Sequence, residues 1–270
     1  MTQTAPPPIS LHDGVEIPQL GFGVFQVPPE ATQEVVEAAL ETGYRHIDTA
    51  AAYRNEQGVG AAVAASGIPR EEVFLTTKLW NAEQGFDSTL RAFEASRERL
   101  GVERVDLYLI HWPVPARGLF LETWRAFERI HAEGGARSVG VSNFRVEDLE
   151  ALRRESELLP TVNQIELHPH LQQAELRAWH AEHAIATEAW SPLGQGSLLD
   201  DPTIAEIAAH HARTPAQAII RWHLQLGNVA IPKSATPERI RENFDVLDFV
   251  LEEDEMEAIA GLDNGRRIGP

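Results

Sequence analysis

Eight short apolar segments recur along the chain, and a stretch with helical periodicity follows each of them. The apolar segments cover residues 19–25, 44–48, 73–78, 106–111, 138–142, 162–166, 185–189 and 228–231. Segments such as DLYLI and SVGVS are runs of the buried type and not polar/apolar alternations, which is typical of parallel strands covered on both faces. Eight strand–helix units without an antiparallel run predict an α/β fold, the closed (β/α)8 or TIM barrel.

The helical stretches occupy the intervals between these strands. They cover residues 30–42, 55–66, 87–100, 118–132, 146–155, 172–183, one longer region at 202–226, and a final pair at 236–243 and 254–261. Ahead of the first strand, Ile9–Leu11 and Val15–Ile17 flank Asp13-Gly14, a pair favoured in the tight turns of β-hairpins. We expect this N-terminal hairpin to cap the bottom of the barrel.

The length of the chain fits one such barrel. It has 270 residues, close to the roughly 250 of a typical barrel, and no linker rich in Pro, Gly or Ser divides it. We therefore predict one domain over residues 1–270, with residues 1–8 as a flexible arm. The lack of cysteine excludes disulfides, thiolate metal sites and cysteine nucleophiles, and it suits a reducing cytoplasm. Since the sequence shows neither a signal peptide nor a long apolar run, we expect a cytoplasmic protein without a membrane span.

The net charge of −18 limits the partners that the protein can bind. An acidic surface repels nucleic acids and anionic lipids, so we expect neither as a partner, and an anionic cofactor would need local cations. Nothing in the sequence demands more than a monomer. We also expect no metal site, because the histidine pairs lack a zinc-type ligand set. These pairs are His168 and His170, His180 and His183, and His210 and His211.

A doubly wound Rossmann sheet is the alternative fold, because Gly21-Phe22-Gly23 begins a G-x-G sequence. The third glycine position holds Gln26, however, and Val27-Pro28-Pro29 follows in place of a helix entry. The dinucleotide fingerprint needs a strand, a glycine turn and a helix N-terminus together. We interpret Gly21 and Gly23 as barrel-strand and turn residues.

Polar residues at the C-terminal ends of the strands are the candidates for catalysis, because active sites of such barrels lie there. Asp48, Lys78 and His111 occupy these ends on the second, third and fourth strands, and Tyr53 follows Asp48 in a short loop. Of 23 basic residues only Lys78 and Lys233 are lysines, and both lie just past a strand. A lysine kept where arginine is the usual cation indicates chemistry that needs a compact charge.

These four residues suit the reduction of a carbonyl group. Hydride addition needs a proton at the developing alkoxide, and a free phenol, with a pKa of about 10, is a poor donor at neutral pH. We expect Lys78 to lower the pKa of Tyr53, Asp48 to orient Lys78, and His111 to hold the carbonyl oxygen. Taken singly, Asp48 and Lys78 also fit a structural ion pair, and His111 fits a core histidine.

The chain resembles the aldo-keto reductase family along nearly the whole of its own length, and eight longer segments carry this resemblance. They are GFGVFQVP, GYRHIDTAAAYRNEQGVG, LTTKLW, DLYLIHWP, GVSNF, VNQIELHP, AWSPLGQG and IPKSATPERIRENF. The chain looks most like the bacterial 2,5-diketo-D-gluconate reductase type, because Trp190 stands where many members have tyrosine. The resemblance implies an NADPH-dependent oxidoreductase acting on CH–OH groups. Such an enzyme reduces aldehydes, α-dicarbonyls or keto-sugar acids such as 2,5-diketo-gluconate to alcohols.

The resemblance also implies roles for individual residues toward NADP(H) and a small carbonyl substrate. The catalytic residues would be Asp48, Tyr53, Lys78 and His111. Ser142, Asn143 and Gln164 would hold the nicotinamide carboxamide, and Trp190 would stack on its ring. Phe25, Trp80 and Trp112 would line the substrate pocket together with His111.

At the other end of the cofactor, Ser191, Leu193 and Gln195 would follow the pyrophosphate. Lys233, Ser234 and Arg239 would bind the adenosine 2′-phosphate, which implies NADPH over NADH. Glu242 and Asn243 would contact the adenine.

Two other functions stay open. Some relatives of this fold are nucleotide-sensing subunits without enzymatic activity, and a cofactor-free barrel hydrolase or aldolase could use Lys78 as a Schiff-base residue. The intact catalytic group disfavours the first, and the cofactor-type residues disfavour the second. Because the sequence stops at Gly269-Pro270, where family members usually continue, we expect an open pocket with broad substrate range.

Overall fold

The structure, a computed structural model, describes residues 5–269. Its strands are β1 (Ile9–Ser10), β2 (Glu16–Ile17), β3 (Phe22–Gly23), β4 (His46–Asp48), β5 (Phe74–Leu79), β6 (Val105–Ile110), β7 (Ala136–Ser142), β8 (Val162–Glu166), β9 (Ala186–Trp190) and β10 (Val229–Ala230). Its helices are α1 (Pro29–Thr42), α2 (Glu56–Ala65), α3 (Phe86–Leu100), α4 (Phe120–Ala132), α5 (Val146–Glu155), α6 (Ala174–Glu182), α7 (Pro202–His210), α8 (Pro215–Gln225), α9 (Pro237–Phe244) and α10 (Glu253–Ala260). Part of the predicted arm, residues 1–4, lies outside the described residues, and Pro6 within it is buried.

Strands β3 to β10 form one sheet in chain order, and each strand is parallel to its neighbours. The two ends of the sheet also meet. Leu20, just before β3, pairs in parallel with Ala230 of β10. The Gly21 amide donates to the Ala230 carbonyl at 2.9 Å, and the Ala230 amide donates to the Gln19 carbonyl at 2.9 Å. The prediction of eight parallel strands that alternate with helices is confirmed, and these bonds close the sheet on itself.

Gly21 and Gly23 allow this close approach of the first and last strands. A Cβ at Gly21 would lie 2.9 Å from the Ile231 side chain, directly after β10, and one at Gly23 would lie 3.0 Å from the Ile231 carbonyl oxygen. A glycine in a strand often marks such a contact. The two glycines are therefore barrel-strand residues, as interpreted from the sequence, and the parallel order in the sheet excludes the Rossmann topology.

The N-terminal hairpin lies against the N-terminal ends of the barrel strands. Its two strands pair antiparallel. The buried side chains of Leu11 and Ile17 pack with Phe74, Val162 and Val229, which begin β5, β8 and β10. These contacts leave the C-terminal ends of the strands, at the opposite side of the barrel, for the candidate site. Among residues 5–269, none of the helices combines the length and apolar character that a membrane crossing requires.

The prediction of one helical region over 202–226 is wrong, because two helices form there. Helix α7 ends at His210, and Ala212 takes a left-handed φ of 53° before α8 begins. Thr214 then caps α8: its hydroxyl accepts from the Gln217 amide at 3.3 Å, and the Gln217 side chain accepts from the Thr214 amide at 3.0 Å. The sequence Thr-Pro-Ala-Gln carries this signal, since Thr before Pro, with Gln at the third helical position, is typical of a helix start.

Candidate active site

The structure brings the four predicted catalytic residues together at the C-terminal ends of neighbouring strands. Asp48 ends β4, Lys78 lies near the end of β5, and His111 directly follows β6. Tyr53 ends a short 3-10 turn that follows β4. Parallel pairing of β4 with β5 and of β5 with β6 sets the three strand ends side by side.

Lys78 forms a buried ion pair with Asp48. Its Nζ atom lies 2.6 Å from Asp48 Oδ1, donates to the Thr49 carbonyl at 2.9 Å, and reaches the Tyr53 hydroxyl at 3.5 Å. Burial favours the neutral amine, but the negative charge of Asp48 and the hydrogen bond with it raise the pKa of Lys78 above its usual value. Lys78 is therefore a charged ammonium at neutral pH. Because a Schiff-base lysine needs a lowered pKa, this finding disfavours the cofactor-free alternative.

The pKa of Tyr53 does not move in the direction expected from the sequence. Burial raises it above its usual value, and the charge of Lys78 only partly opposes this effect. The expectation of a net lowering is thus wrong, since burial outweighs the nearby ammonium. Lys78 still stabilises the phenolate relative to a site without that charge, and its Nζ also lies 5.1 Å from the centre of the Tyr53 ring.

His111 is held as a neutral imidazole beside Tyr53. Burial and the positive charge of Lys78 lower its pKa to about 3. Its ring meets those of Tyr53 and Trp80 edge-on, with centroids 5.7 and 5.3 Å apart, and its Nδ1 atom is buried without a hydrogen-bond partner among residues 5–269. A neutral imidazole can donate one hydrogen bond, so His111 can bind a carbonyl oxygen without giving up its proton.

Two of the predicted substrate-pocket residues surround this group at the surface. Phe25 packs against Tyr53 with ring centroids 5.1 Å apart, and Phe25 and Trp80 are 46% and 40% exposed. Large apolar side chains left in water beside buried polar groups are typical of a binding mouth. Trp112 is half-buried, and its carbonyl accepts a hydrogen bond from Gln84 Nε2 at 2.7 Å.

The residues expected to hold the nicotinamide form a hydrogen-bonded row across the ends of β7, β8 and β9. Trp190 Nε1 donates to Asn143 Oδ1 at 2.9 Å, and Asn143 Nδ2 donates to Ser142 Oγ at 3.0 Å. Ser142 Oγ in turn donates to the backbone carbonyl of Gln164 at 2.8 Å. Asn143 has a left-handed φ of 63°, a conformation that asparagine adopts more readily than most residues. The row fixes the Trp190 ring, which is partly exposed.

Gln164 joins this row directly to the ion pair and also bonds Glu188, a residue that the sequence analysis missed. Its Nε2 atom donates to Asp48 Oδ2 at 2.8 Å and to Glu188 Oε2 at 2.9 Å. Glu188 lies within β9 and is fully buried, and burial together with the charge of Asp48 raises its pKa to about 8. The available signal was a carboxylate inside the apolar strand sequence ATEAW, since buried carboxylates are rare without a partner.

The remaining predicted cofactor residues follow β9 and β10. Ser191 and Gln195 take left-handed φ values of 49° and 52° in the loop after β9, and Leu193 is partly buried between them. After β10, Lys233 is exposed, and the buried Ser234 hydroxyl accepts from the Thr236 amide at 3.4 Å, next to the start of α9.

The other three predicted cofactor residues, Arg239, Glu242 and Asn243, lie on helix α9. Arg239, in its first turn, is exposed. Asn243 is buried, and Glu242 accepts a hydrogen bond from the Thr214 hydroxyl at 2.7 Å. Glu242 therefore also joins α9 to the start of α8, a contact that its predicted role toward adenine did not include.

Ile268 and Gly269, the last residues that the structure describes, lie next to Glu166 and Trp190. The amides of Ile268 and Gly269 donate to Glu166 at 2.6 and 3.0 Å, and a Cβ on Gly269 would lie 2.5 Å from the Trp190 ring. The C-terminal residues thus pack beside the predicted nicotinamide platform. The open pocket with a broad substrate range stays a prediction.

One histidine pair gains a partner that the sequence did not reveal. His210 Nδ1 and His211 Nε2 each lie 2.7 Å from a carboxylate oxygen of Glu255, so the end of α7 is joined to the first turn of α10. Glu255 also caps α10 by accepting from the Glu252 amide at 2.8 Å. Hydrogen bonds account for the grouping of these three side chains, and the expectation of no metal stays a prediction.

Comparison with known proteins identifies the family of the chain. The Aldo/keto reductase family model matches residues 19–264. The chain belongs to the aldo/keto reductase family. An aldo-keto reductase of Mycolicibacterium smegmatis is 60% identical over 98% of this chain and 96% of its own length. The methylglyoxal reductase DkgA of Yersinia pestis is 51% identical over 99% of this chain and 96% of its own. A crystal structure of a Gox0644 variant in complex with NADPH is 50% identical, with a TM-score of 0.94, over 100% of this chain and 97% of its own.

The buried ion pair yields a prediction about stability. Lys78→Met removes the ammonium and leaves the Asp48 carboxylate buried with fewer partners, so we expect the free energy of unfolding to fall by about 3–5 kcal/mol. The double variant K78M/D48N buries no unpaired charge, and we expect it to recover most of the loss. Urea unfolding followed by circular dichroism at neutral pH measures both. A double variant no more stable than K78M would contradict the assignment of this pair.

Proposed function

We propose that this protein is an NADPH-dependent reductase of aldehydes and ketones, with Tyr53 as the proton donor. The observation that carries the proposal is the position of the Tyr53 hydroxyl. It lies 3.5 Å from Nζ of the buried, charged Lys78, and the Tyr53 ring meets the ring of the neutral His111 edge-on, behind an apolar mouth. A phenol in such surroundings can release a proton to an oxygen bound between Tyr53 and His111.

Each of the four catalytic residues has its own role in the proposed reaction. When bound, NADPH supplies the hydride that adds to the carbonyl carbon. Tyr53 transfers its hydroxyl proton to the carbonyl oxygen, and the ammonium of Lys78 stabilises the phenolate that this leaves. Asp48 keeps Lys78 charged and in place. His111 donates a hydrogen bond to the same oxygen and so stabilises the developing negative charge.

The site residues fit the proposed cofactor. The partly exposed Trp190 ring, fixed by Asn143, offers a face for the nicotinamide, whose carboxamide would bond with Ser142, Asn143 and Gln164. Ser191, Leu193 and Gln195 would follow the pyrophosphate.

At the far end, the exposed cations Lys233 and Arg239, with Ser234, would bind the 2′-phosphate near the start of α9, while Glu242 and Asn243 would contact the adenine. The NADPH complex of the 50% identical relative supports NADPH as the cofactor. In a chain of net charge −18, such local cations are what an anionic cofactor requires.

We propose small α-dicarbonyls as the main substrates, with keto-sugar acids such as 2,5-diketo-gluconate as further ones. The name of the 51% identical methylglyoxal reductase supports the first class. Phe25, Trp80 and Trp112 would bound the pocket on its solvent side. We further propose that the chain acts as a single domain. The monomeric state and the cytoplasmic location stay predictions.

Tyr53→Phe tests the proposed role of the hydroxyl directly. Since it removes the proton donor and little else, we expect kcat for methylglyoxal to fall by roughly 10²–10⁴-fold while NADPH still binds. Tyr44→Phe is the matched control, because the Tyr44 hydroxyl donates to the Ile240 carbonyl and to none of the four catalytic residues. The loss of NADPH absorbance measures turnover. Wild-type turnover that survives in Tyr53→Phe would contradict the assignment, and NADPH binding without any turnover would favour a nucleotide-sensing function.

The proposed 2′-phosphate site predicts a selective loss of affinity. Arg239→Ala removes a charge-assisted bond worth about 1.5–3 kcal/mol, so we expect the KM for NADPH to rise roughly 10- to 100-fold, with little change for NADH. Arg241→Ala is the control, because Arg241 lies exposed on the same helix and pairs with Glu238. Equal effects of Arg239→Ala on both cofactors would place the phosphate elsewhere.

A further inference from the structure

We infer that Glu188 is a positioning residue, which orients the side-chain amide of Gln164 so that this amide presents only its oxygen to the nicotinamide carboxamide. The inference rests on the proposed function, because it concerns how the same site recognises its cofactor. Glu188 itself would touch neither cofactor nor substrate.

Both side-chain N–H groups of Gln164 form hydrogen bonds inside the barrel. Nε2 donates one hydrogen to Asp48 Oδ2 at 2.8 Å, across the barrel on β4, and the other to Glu188 Oε2 at 2.9 Å. Among residues 5–269 the side-chain hydrogen bonds of Gln164 are these two, both from Nε2, and none involves Oε1. A side-chain amide has two donor hydrogens and one acceptor oxygen, so the oxygen alone is left for a ligand.

Strand register puts Glu188 where this bond forms. Gln164 and Glu188 are directly paired residues of β8 and β9, and both are buried. If the amide of Gln164 turned over, its oxygen would face the Asp48 carboxylate and lose that hydrogen bond, and it would also lose the bond to Glu188 wherever Oε2 of Glu188 carries no proton. An amide between two acceptors therefore has one stable orientation.

Asp48 alone would hold the amide less firmly. Its other oxygen is bound to Lys78, and one hydrogen bond leaves the amide free to rotate or to donate outward. Glu188 supplies the second acceptor from the neighbouring strand. An outward N–H would oppose the N–H donors of the carboxamide, so loss of Glu188 weakens recognition of that group in particular.

The surroundings of Glu188 allow it to act in either protonation state. The groups that face it are Asp48 and Lys78, and His46, whose Nε2 lies 3.5 Å from Glu188 Oε1. Burial lowers the pKa of His46 to about 3, so His46 is neutral. Burial and Asp48 raise the pKa of Glu188 itself to about 8, and a protonated carboxyl still keeps one acceptor oxygen for Gln164. A glutamine at this position should therefore replace it.

The test compares two nucleotides that differ at the carboxamide alone. The 3-acetylpyridine analogue of NADP⁺ has an acetyl group in its place and lacks the NH₂ donor. Dissociation constants for both, measured by fluorescence quenching of the purified protein, give a ratio that isolates this contact. We expect Glu188→Leu to reduce the preference for NADP⁺ by about 2- to 10-fold, the worth of one neutral hydrogen bond. We expect Glu188→Gln to keep the wild-type ratio.

A ratio in Glu188→Leu equal to that of the wild type would overturn the inference, and so would a Glu188→Gln variant that behaves like Glu188→Leu. Should circular dichroism show that Glu188→Leu does not fold, Glu188→Val is read in the same way. Gln164→Leu shows the full loss of the contact. A wild-type protein that binds neither nucleotide would instead contradict the proposed function, on which the inference depends.

Discussion

The buried ion pair of Lys78 with Asp48 is the interaction on which the rest of the site depends. Taking two charges out of water is costly, and it is offset only where the remaining polar atoms find partners. Here the 2.6 Å contact is completed by the Thr49 carbonyl on one side and the Gln164 amide on the other. The pair therefore has a second role besides keeping Lys78 protonated. It ties the proposed proton donor on one side of the barrel to the proposed cofactor platform on the other.

Much of the fold could be predicted from the sequence, because it follows from local patterns. Buried-type strand runs, the intervening helices and the Asp13-Gly14 hairpin all recur in the structure within a few residues. The end strands are shorter than expected, since β3 covers Phe22–Gly23 and β10 covers Val229–Ala230. The division of α7 from α8 was missed although the capping signal at Thr214 was present, because apolar periodicity continues across it.

The sequence predicted which residues form the candidate site better than it predicted the contacts between them. Residue types at strand ends, together with the family resemblance, singled out Tyr53 and Lys78, and the structure places them side by side. Glu188 was missed because both faces of a parallel strand are buried, so no alternation marks which side chains point inward. The raised pKa of Tyr53 was missed for a related reason. A neighbouring charge can be guessed from strand order, but the extent of burial depends on packing around the whole barrel mouth.

The most direct test of this account is a crystal structure with NADP⁺ and an unreactive analogue of a small dicarbonyl. We predict that the nicotinamide lies on Trp190 and that one substrate oxygen lies about 2.6–3.2 Å from both the Tyr53 hydroxyl and a His111 ring nitrogen. A nucleotide bound away from Trp190, or an oxygen out of reach of Tyr53, would contradict the assignment of Tyr53 as the proton donor.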